Sequence, residues 1–240
     1  MANRGERKRQ KSIAAPKVRG FMRKVDTFTP KSKPGPHNKA TSVPLSFALR
    51  QVLKLTSNMK ETKKILSAGD LKVNGTIRKK THFPVGIFDI IEIVSVKRKF
   101  RFLLDTKGRM IGKEVAHKEG NFKVSRIVGK RVGKGGKMLA TTNEGFILEI
   151  GKEKINVEDS VKISIPEMKV LEVYPMDKGS TAFIVGGTHT GKTVRLEGVL
   201  RGSLKTHTVV EFDDSGKKYQ TVIDNVFVVG KSKPEIEALA

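Results

Sequence analysis

The sequence predicts an α+β fold built as a string of modules. In order these are a basic, extended N-terminal arm (1–40), a small helical domain (41–104), a central β-barrel-like domain (105–170), and a further strand-rich module with a short tail (171–240). Three observations carry that expectation. Residues 1–40 hold four prolines and no lasting apolar period. Residues 41–94 read as two short amphipathic helices followed by a small strand unit, and from 105 onward short apolar alternations are cut by glycine every few residues. A chain of 240 residues has room for one large domain or two to three small ones.

Charge narrows the function before any motif does. Lys+Arg is 48 against 24 for Asp+Glu, a formal +24 with a pI near 10.2. Such a surface repels itself unless a polyanion compensates it, so nucleic acid is the first partner class and an anionic membrane the second. By segment the net charge is +10 over 1–40, +9 over 41–104, +5 over 105–170 and 0 over 171–240. The polyanion is therefore expected on the N-terminal half. No apolar run approaches the ~18 residues of a spanning helix, and the first residues lack a signal-peptide core; the expectation is a soluble, cytoplasmic protein. The absence of cysteine removes disulfides, thiolate metal sites and cysteine nucleophiles. With no Trp and two Tyr, phosphate contact should outweigh base stacking.

The arm cannot bury enough apolar surface to offset its ordering entropy, so alone it should be disordered. Its basic residues, among them Lys8, Arg9, Lys11, Lys17, Arg19, Arg23 and Lys24, alternate with Phe21 and Phe28. That mix suits a segment that orders along a phosphate backbone.

In the next module Leu45, Ala48, Leu49, Val52 and Leu53 fall at i, i+3, i+4, i+7 and i+8, one apolar helix stripe. Ser42 is the expected cap, with Pro44 in the first turn and Arg50 and Lys54 on the outer face. A second helix should open at Asn58, with Glu61 in capping-box spacing, and stop at Gly69. It would bury Ile65 and Leu66 and expose Lys60, Lys63 and Lys64. Leu71–Val73 reads as a strand, Asn74-Gly75 as a tight turn, and Ile77 with Arg78, Lys79 and Lys80 as the return. Ile87–Val94 is a further apolar strand, followed by the basic run Lys97, Arg98, Lys99 and Arg101. Asn58, Lys60, Lys63 and the Val73-Asn74-Gly75 turn, in this order, resemble the alpha-L RNA-binding motif, which implies RNA as the polyanion.

Over 105–170 the expected strands are Phe122–Val124, Met138–Ala140, Phe146–Ile150 and Val161–Ile165. Residues 129–137, with Lys130 and Arg131, read as a basic, flexible loop that either hangs free or touches phosphates.

Residues 186–193 match the phosphate-loop pattern G-x-x-x-x-G-K-[ST] after a Phe183–Val185 strand. That loop cradles phosphates only between a buried parallel strand and a helix. Here 47 residues follow Thr193, too few for a nucleotide-binding sheet, and Gly198 and Gly202 oppose a helix. Thr208–Phe212 reads as an antiparallel strand. The same stretch, with Gly187 and Gly191 bracketing a tight loop and Val194 and Leu196 alternating beyond it, resembles the KOW module. That resemblance implies an SH3-like β-barrel over 171–240 and places His189, Lys192 and Arg195 near RNA.

Taken in order, Ala14-Ala15-Pro16-Lys17, Gly35-Pro36-His37, the alpha-L pattern, residues 102–109 (FLLDTKGR), the KOW-like loop and residues 224–231 (DNVFVVGK) resemble the archaeal and eukaryotic small-subunit ribosomal S4e family. The short C-terminus resembles the archaeal members. The resemblance implies a structural protein on small-subunit ribosomal RNA and neighbouring ribosomal proteins, acting without catalysis, cofactor, metal, nucleotide or membrane, and not as a homo-oligomer. His37, His82, His117, His189 and His207 show no metal-ligand spacing, and no Gly-x-Ser-x-Gly elbow is present. The competing readings are a KOW-type transcription or translation adaptor and, more remotely, a P-loop NTPase.

Overall fold

The structure, a computed structural model, describes residues 9–117, 119–151, 155–203, 207–214, 217–236 and 239. It divides into two compact units, residues 1–120 and 121–240. Strands dominate both, so the α+β expectation is corrected to a mostly β architecture with few and short helices among the described residues.

In the first unit residues 9–40 of the arm are folded. Strands β1 (Arg9–Lys11) and β2 (Phe28–Pro30) pair antiparallel, with Gln10 opposite Thr29. Two 3₁₀ turns lie between them, and the second, Lys17–Arg19, closes on Gly20 at φ 58. What the sequence hid is tertiary docking. Phe21 packs edge-on against Phe47 with ring centroids 5.3 Å apart, His82 and Lys31 share a hydrogen bond of 2.8 Å, and the backbone N–H of Lys33 donates to the carbonyl of His82. These contacts offset an ordering cost the arm could not meet alone.

Strand β3 (Val43–Pro44) pairs with β6 (Pro84–Val85) and leads into helix α1 (Leu45–Phe47). Pro44, not Ser42, sits at the cap position; Ser42 is fully buried, and no side chain caps this helix. The helix widens over Ala48–Val52, where the N–H of Leu53 donates to the carbonyl of Ala48 at 2.9 Å, five residues back. The chain then leaves through Lys54 at φ 53, so Lys54 does not share a helix face with Arg50. Leu45, Phe47, Ala48 and Leu49 form the buried stripe, with Val52 and Leu53 half-buried.

Helix α2 (Met59–Ala68) follows its sequence signals closely. The Asn58 side chain accepts from the N–H groups of Lys60 (2.9 Å) and Glu61 (3.0 Å), and Gly69 closes the helix at φ 79. Glu61 folds back to accept from the N–H of Ser57 at 2.8 Å. Leu66 and Thr62 are buried and Ile65 half-buried.

The sheet of this unit runs β5-β4-β7-β8-β9: β4 (Leu71–Val73), β5 (Thr76–Ile77), β7 (Ile90–Ile93), β8 (Arg98–Leu104) and β9 (Met110–Val115). Asn74 at φ 49 and Gly75 at φ 76 make the two-residue turn. The strand pairing of β8 with β9 carries the sheet across the expected 104/105 boundary, and residues 87–89 form a turn ahead of β7.

The second unit holds two five-stranded sheets. In the first, β10 (Phe122–Val132), β11 (Met138–Thr142), β12 (Ile147–Ile150), β13 (Ser160–Ser164) and β14 (Val170–Tyr174) run in the order β12-β11-β10-β13-β14 around Ile127, Leu148 and Val161. The expected loop 129–137 is mostly strand: Lys130 pairs with Ala140 and Arg131 with Leu139, leaving 133–137 as the turn. The second sheet contains β15 (Thr181–Ile184), β16 (Thr193–Leu200), β17 (Val209–Asp214), β18 (Lys217–Val222) and β19 (Val226–Gly230) in the order β18-β17-β16-β15-β19. Val194, Leu196 and Phe212 face its core. Residues 186–192 join two antiparallel strands, with Phe183 opposite Thr193, so no helix follows the glycine–lysine loop. The phosphate-loop reading lacks its geometry.

Candidate nucleic-acid interface

Helix α2 sets the first row of cations. Its apolar side, Thr62 and Leu66, faces inward, and the helix period turns Lys60, Lys63 and Lys64 to solvent. Among the described residues none of the three has an ion-pair partner. Lys79 and Lys80, exposed beyond the β4-β5 turn, are in the same condition. Arg78 is half-buried, its guanidinium 4.6 Å from the Phe83 ring centre.

The turn carrying these residues is fastened from below. The Asn74 Nδ2 donates to Asp89 Oδ1 at 2.7 Å, and Asn74 Oδ1 accepts from the N–H of Ile90 at 2.9 Å. Asp89 is fully buried; its Oδ2 also accepts from the N–H of Gly86 and lies 2.8 Å from His37 Nε2 on the arm. The Val-Asn-Gly asparagine is thus a bracket inside the unit, and the lysines around it form the outer surface.

The basic run after Val94 divides differently from the expectation. Lys97 is exposed in a turn at φ 54. Arg98 makes two 2.7 Å hydrogen bonds to Glu114, which hold its pKa above and that of Glu114 below their ordinary values. Lys99 and Arg101 lie inside, at 7 % and 0 % exposure, because β8 is a central strand covered on both faces. Arg101 donates to the carbonyl of Glu119 at 2.5 Å, and burial pulls its pKa down to about 10, so it stays charged at neutral pH. Arg19 is buried as well, with Nη1 donating to the carbonyl of Pro30 at 2.7 Å. Arg19, Lys99 and Arg101 are therefore corrected from outward phosphate ligands to internal cations.

On the arm Lys11, Lys17 and Lys24 are exposed and Arg23 is half-buried; Arg9 takes part in β1 through its backbone, and Lys8 lies outside the described residues. Lys54 is exposed, and Arg50 is half-buried. In the second unit Arg131 and Lys130 sit on β10, the Lys130 ammonium donating to the carbonyl of Ile155. His189 is packed, its ring 4.4 Å from that of Tyr219 and 5.4 Å from that of Phe212, which removes it from a free loop tip. Lys192 is half-buried, and Arg195 is exposed with Nε donating to the carbonyl of Gly179 at 3.3 Å. Arg109, quoted within the 102–109 segment but not among the expected RNA-binding residues, points from the β8-β9 turn toward the arm and holds Asp105 at 3.1 Å, which keeps the Asp105 carboxyl below its ordinary range. No helix of the described residues is long and apolar enough to cross a membrane.

A family model described as "Ribosomal family S4e" matches residues 96–170, and one described as "RS4NT (NUC023) domain" matches residues 4–40. Small ribosomal subunit protein eS4 of Methanosphaera stadtmanae is 36% identical over 237 residues, covering 98% of this chain and 98% of the relative. That of Archaeoglobus fulgidus is 36% identical over 233 residues, covering 95% and 97%. The crystal structure of the 30S ribosomal protein S4e from Thermoplasma acidophilum superposes with a TM-score of 0.69 at 26% identity, covering 80% of this chain and 96% of that one. With two relatives at this identity over nearly its whole length, the chain belongs to the ribosomal S4e family.

Proposed function

We propose that this chain is a structural constituent of the small ribosomal subunit, held on ribosomal RNA by phosphate-backbone and shape contacts and performing no chemistry of its own. The observation that carries the proposal is the row Lys60, Lys63, Lys64, Lys79 and Lys80, exposed around a rigid turn in a chain whose relatives are small-subunit proteins. Exposed lysines without carboxylate partners keep their counterions until a phosphate displaces them. A-form RNA hides its major-groove edges, so a rigid cationic surface reads backbone spacing and 2′-hydroxyls. In this reading residues 41–104 act as an alpha-L-type anchor. The arm and its Lys11, Lys17, Arg23 and Lys24 extend the same contact. The β15-β16 hairpin with Lys192 and Arg195 belongs to a KOW-type barrel that meets RNA or a neighbouring ribosomal protein.

A salt titration of the full chain on small-subunit ribosomal RNA tests this. Six to ten phosphate contacts should lower affinity by about 10³- to 10⁵-fold between roughly 50 and 200 mM salt. Affinity flat across that range would refute the backbone-contact mechanism.

A further inference from the structure

Strand β9 is the last in the order β5-β4-β7-β8-β9 and, among the described residues, pairs with β8 alone. In an antiparallel ladder the backbone groups of successive residues point alternately toward the partner and away from it. The N–H of Asp105 donates to the carbonyl of Arg109 at 2.8 Å, which makes Leu103 and Ile111 the next mutually bonded pair. Phe102 agrees: its N–H and carbonyl bond to the backbone of Asp89 and Phe88, on the far side of β8. Met110 and Gly112 therefore turn their N–H and C=O groups away from β8, and no described residue hydrogen-bonds to them there.

A cavity of about 730 Å³ is lined by Met110, Ile111 and Gly112 and by no residue of β8, so it lies off the edge of the sheet and not over a face. Leu53 closes one face of the strand, since a Cβ on Gly112 would sit 2.3 Å from its Cδ2. The arm, packed against Arg109 at Gly20, supplies apolar lining through Phe21, Met22 and Val25. Met22 and Val25 are 79 % and 73 % exposed. An open row of alternating donors and acceptors beside uncovered apolar side chains fits an extended polypeptide, whose own edge carries both groups. A phosphate backbone offers acceptors only. Lys54 is exposed in the same lining, and the net charge is +10 over 1–40 and +9 over 41–104. That excess favours an acidic segment and opposes a second copy of this chain.

We propose that an extended segment of another protein, acidic and apolar in alternation, adds a strand to the edge of β9. Its main chain bonds to Met110 and Gly112, and its apolar side chains cover Met22 and Val25. Main-chain bonds hold such a segment, and the alternate side chains select it. The proposal goes beyond the RNA-binding reading and does not depend on it.

Residue-resolved amide hydrogen exchange of the full chain tests it, with a synthetic octapeptide of alternating valine and glutamate as the probe. In the free chain the Met110 and Gly112 amides should exchange fast beside a slow Ile111. Peptide occupying about nine-tenths of the chain should slow those two by about tenfold and leave Ile111 unchanged. The same peptide methylated on its backbone nitrogens, and a valine–lysine octapeptide, should slow neither. The exposed double variant Met22→Ser/Val25→Ser should weaken the peptide and keep the parent's affinity for ribosomal RNA. No slowing at about 1 mM valine–glutamate peptide would overturn the strand site and leave salt-dependent RNA binding standing. Equal slowing by the methylated peptide would show that no strand is added, and would overturn it too. Slowing by ribosomal RNA but not by the peptide would assign the edge to RNA and overturn the proposal as well.

Discussion

Replacing Asn74 by alanine separates the bracket from the binding surface. The substitution deletes the hydrogen bond to the fully buried Asp89, about 1.5–3 kcal/mol for a charged acceptor, and strands the N–H of Ile90, about 1–3 kcal/mol more. Alanine must also hold φ 49, where a Cβ costs about 1–2 kcal/mol and asparagine much less. Discounting for relaxation, the unit should lose about 4 kcal/mol. Tyr174 and Tyr219 both lie in residues 121–240, and there is no Trp, so intrinsic fluorescence does not report on this unit. Amide hydrogen exchange does. Protection of the paired Val73 and Ile91 amides should fall by about a thousandfold, each 1.36 kcal/mol being tenfold. A loss under tenfold would refute the bracket and return Asn74 to the exposed motif residues.

Three further expectations follow from the same geometry. Lys60→Ala/Lys63→Ala/Lys64→Ala removes three phosphate contacts at about 0.7–0.9 of salt slope each, so its affinity deficit on ribosomal RNA should shrink by about 20- to 40-fold from 50 to 200 mM salt. A deficit independent of salt would mean those lysines do not touch phosphate. Lys123 and Glu144 form a buried ion pair at 1 % and 2 % exposure; Lys123→Met should cost about 3–5 kcal/mol in urea denaturation followed by tyrosine fluorescence, and adding Glu144→Leu should recover most of it. Equal losses in the single and double variants would contradict that. ATP or GTP should give no saturable signal in calorimetry with the parent chain or with Lys192→Ala, because residues 186–192 form a hairpin turn; binding lost on Lys192→Ala would reinstate the phosphate loop.

What the sequence made legible was local. Asn58 and Gly69 delimit α2, and Asn74-Gly75 makes its turn, because caps and two-residue turns depend on residues a few positions apart. The lysines of α2 were legible for the same reason. What failed depended on distant partners. Nothing near Arg19, Lys99 or Arg101 in the chain announces that the unit closes over them; a basic run looks alike on an edge strand and a central one. The arm's order depends on Phe47, His82 and Asp89, tens of residues away. Glycines at 129 and 133 suggested a loose loop, yet the ladder to β11 accepts Gly129 and confines the turn to five residues. Arg109 was legible only as the end of the 102–109 segment, since its place against Gly20 is set by packing.

Sedimentation of a lysate from the native organism, under conditions that dissociate ribosomes into free subunits, decides whether this chain is a small-subunit protein. The chain should run in the small-subunit peak, stoichiometric with its ribosomal RNA and released as salt is raised. Its absence from every ribosomal fraction, with the subunit peak intact, would rule out a structural place on the small subunit.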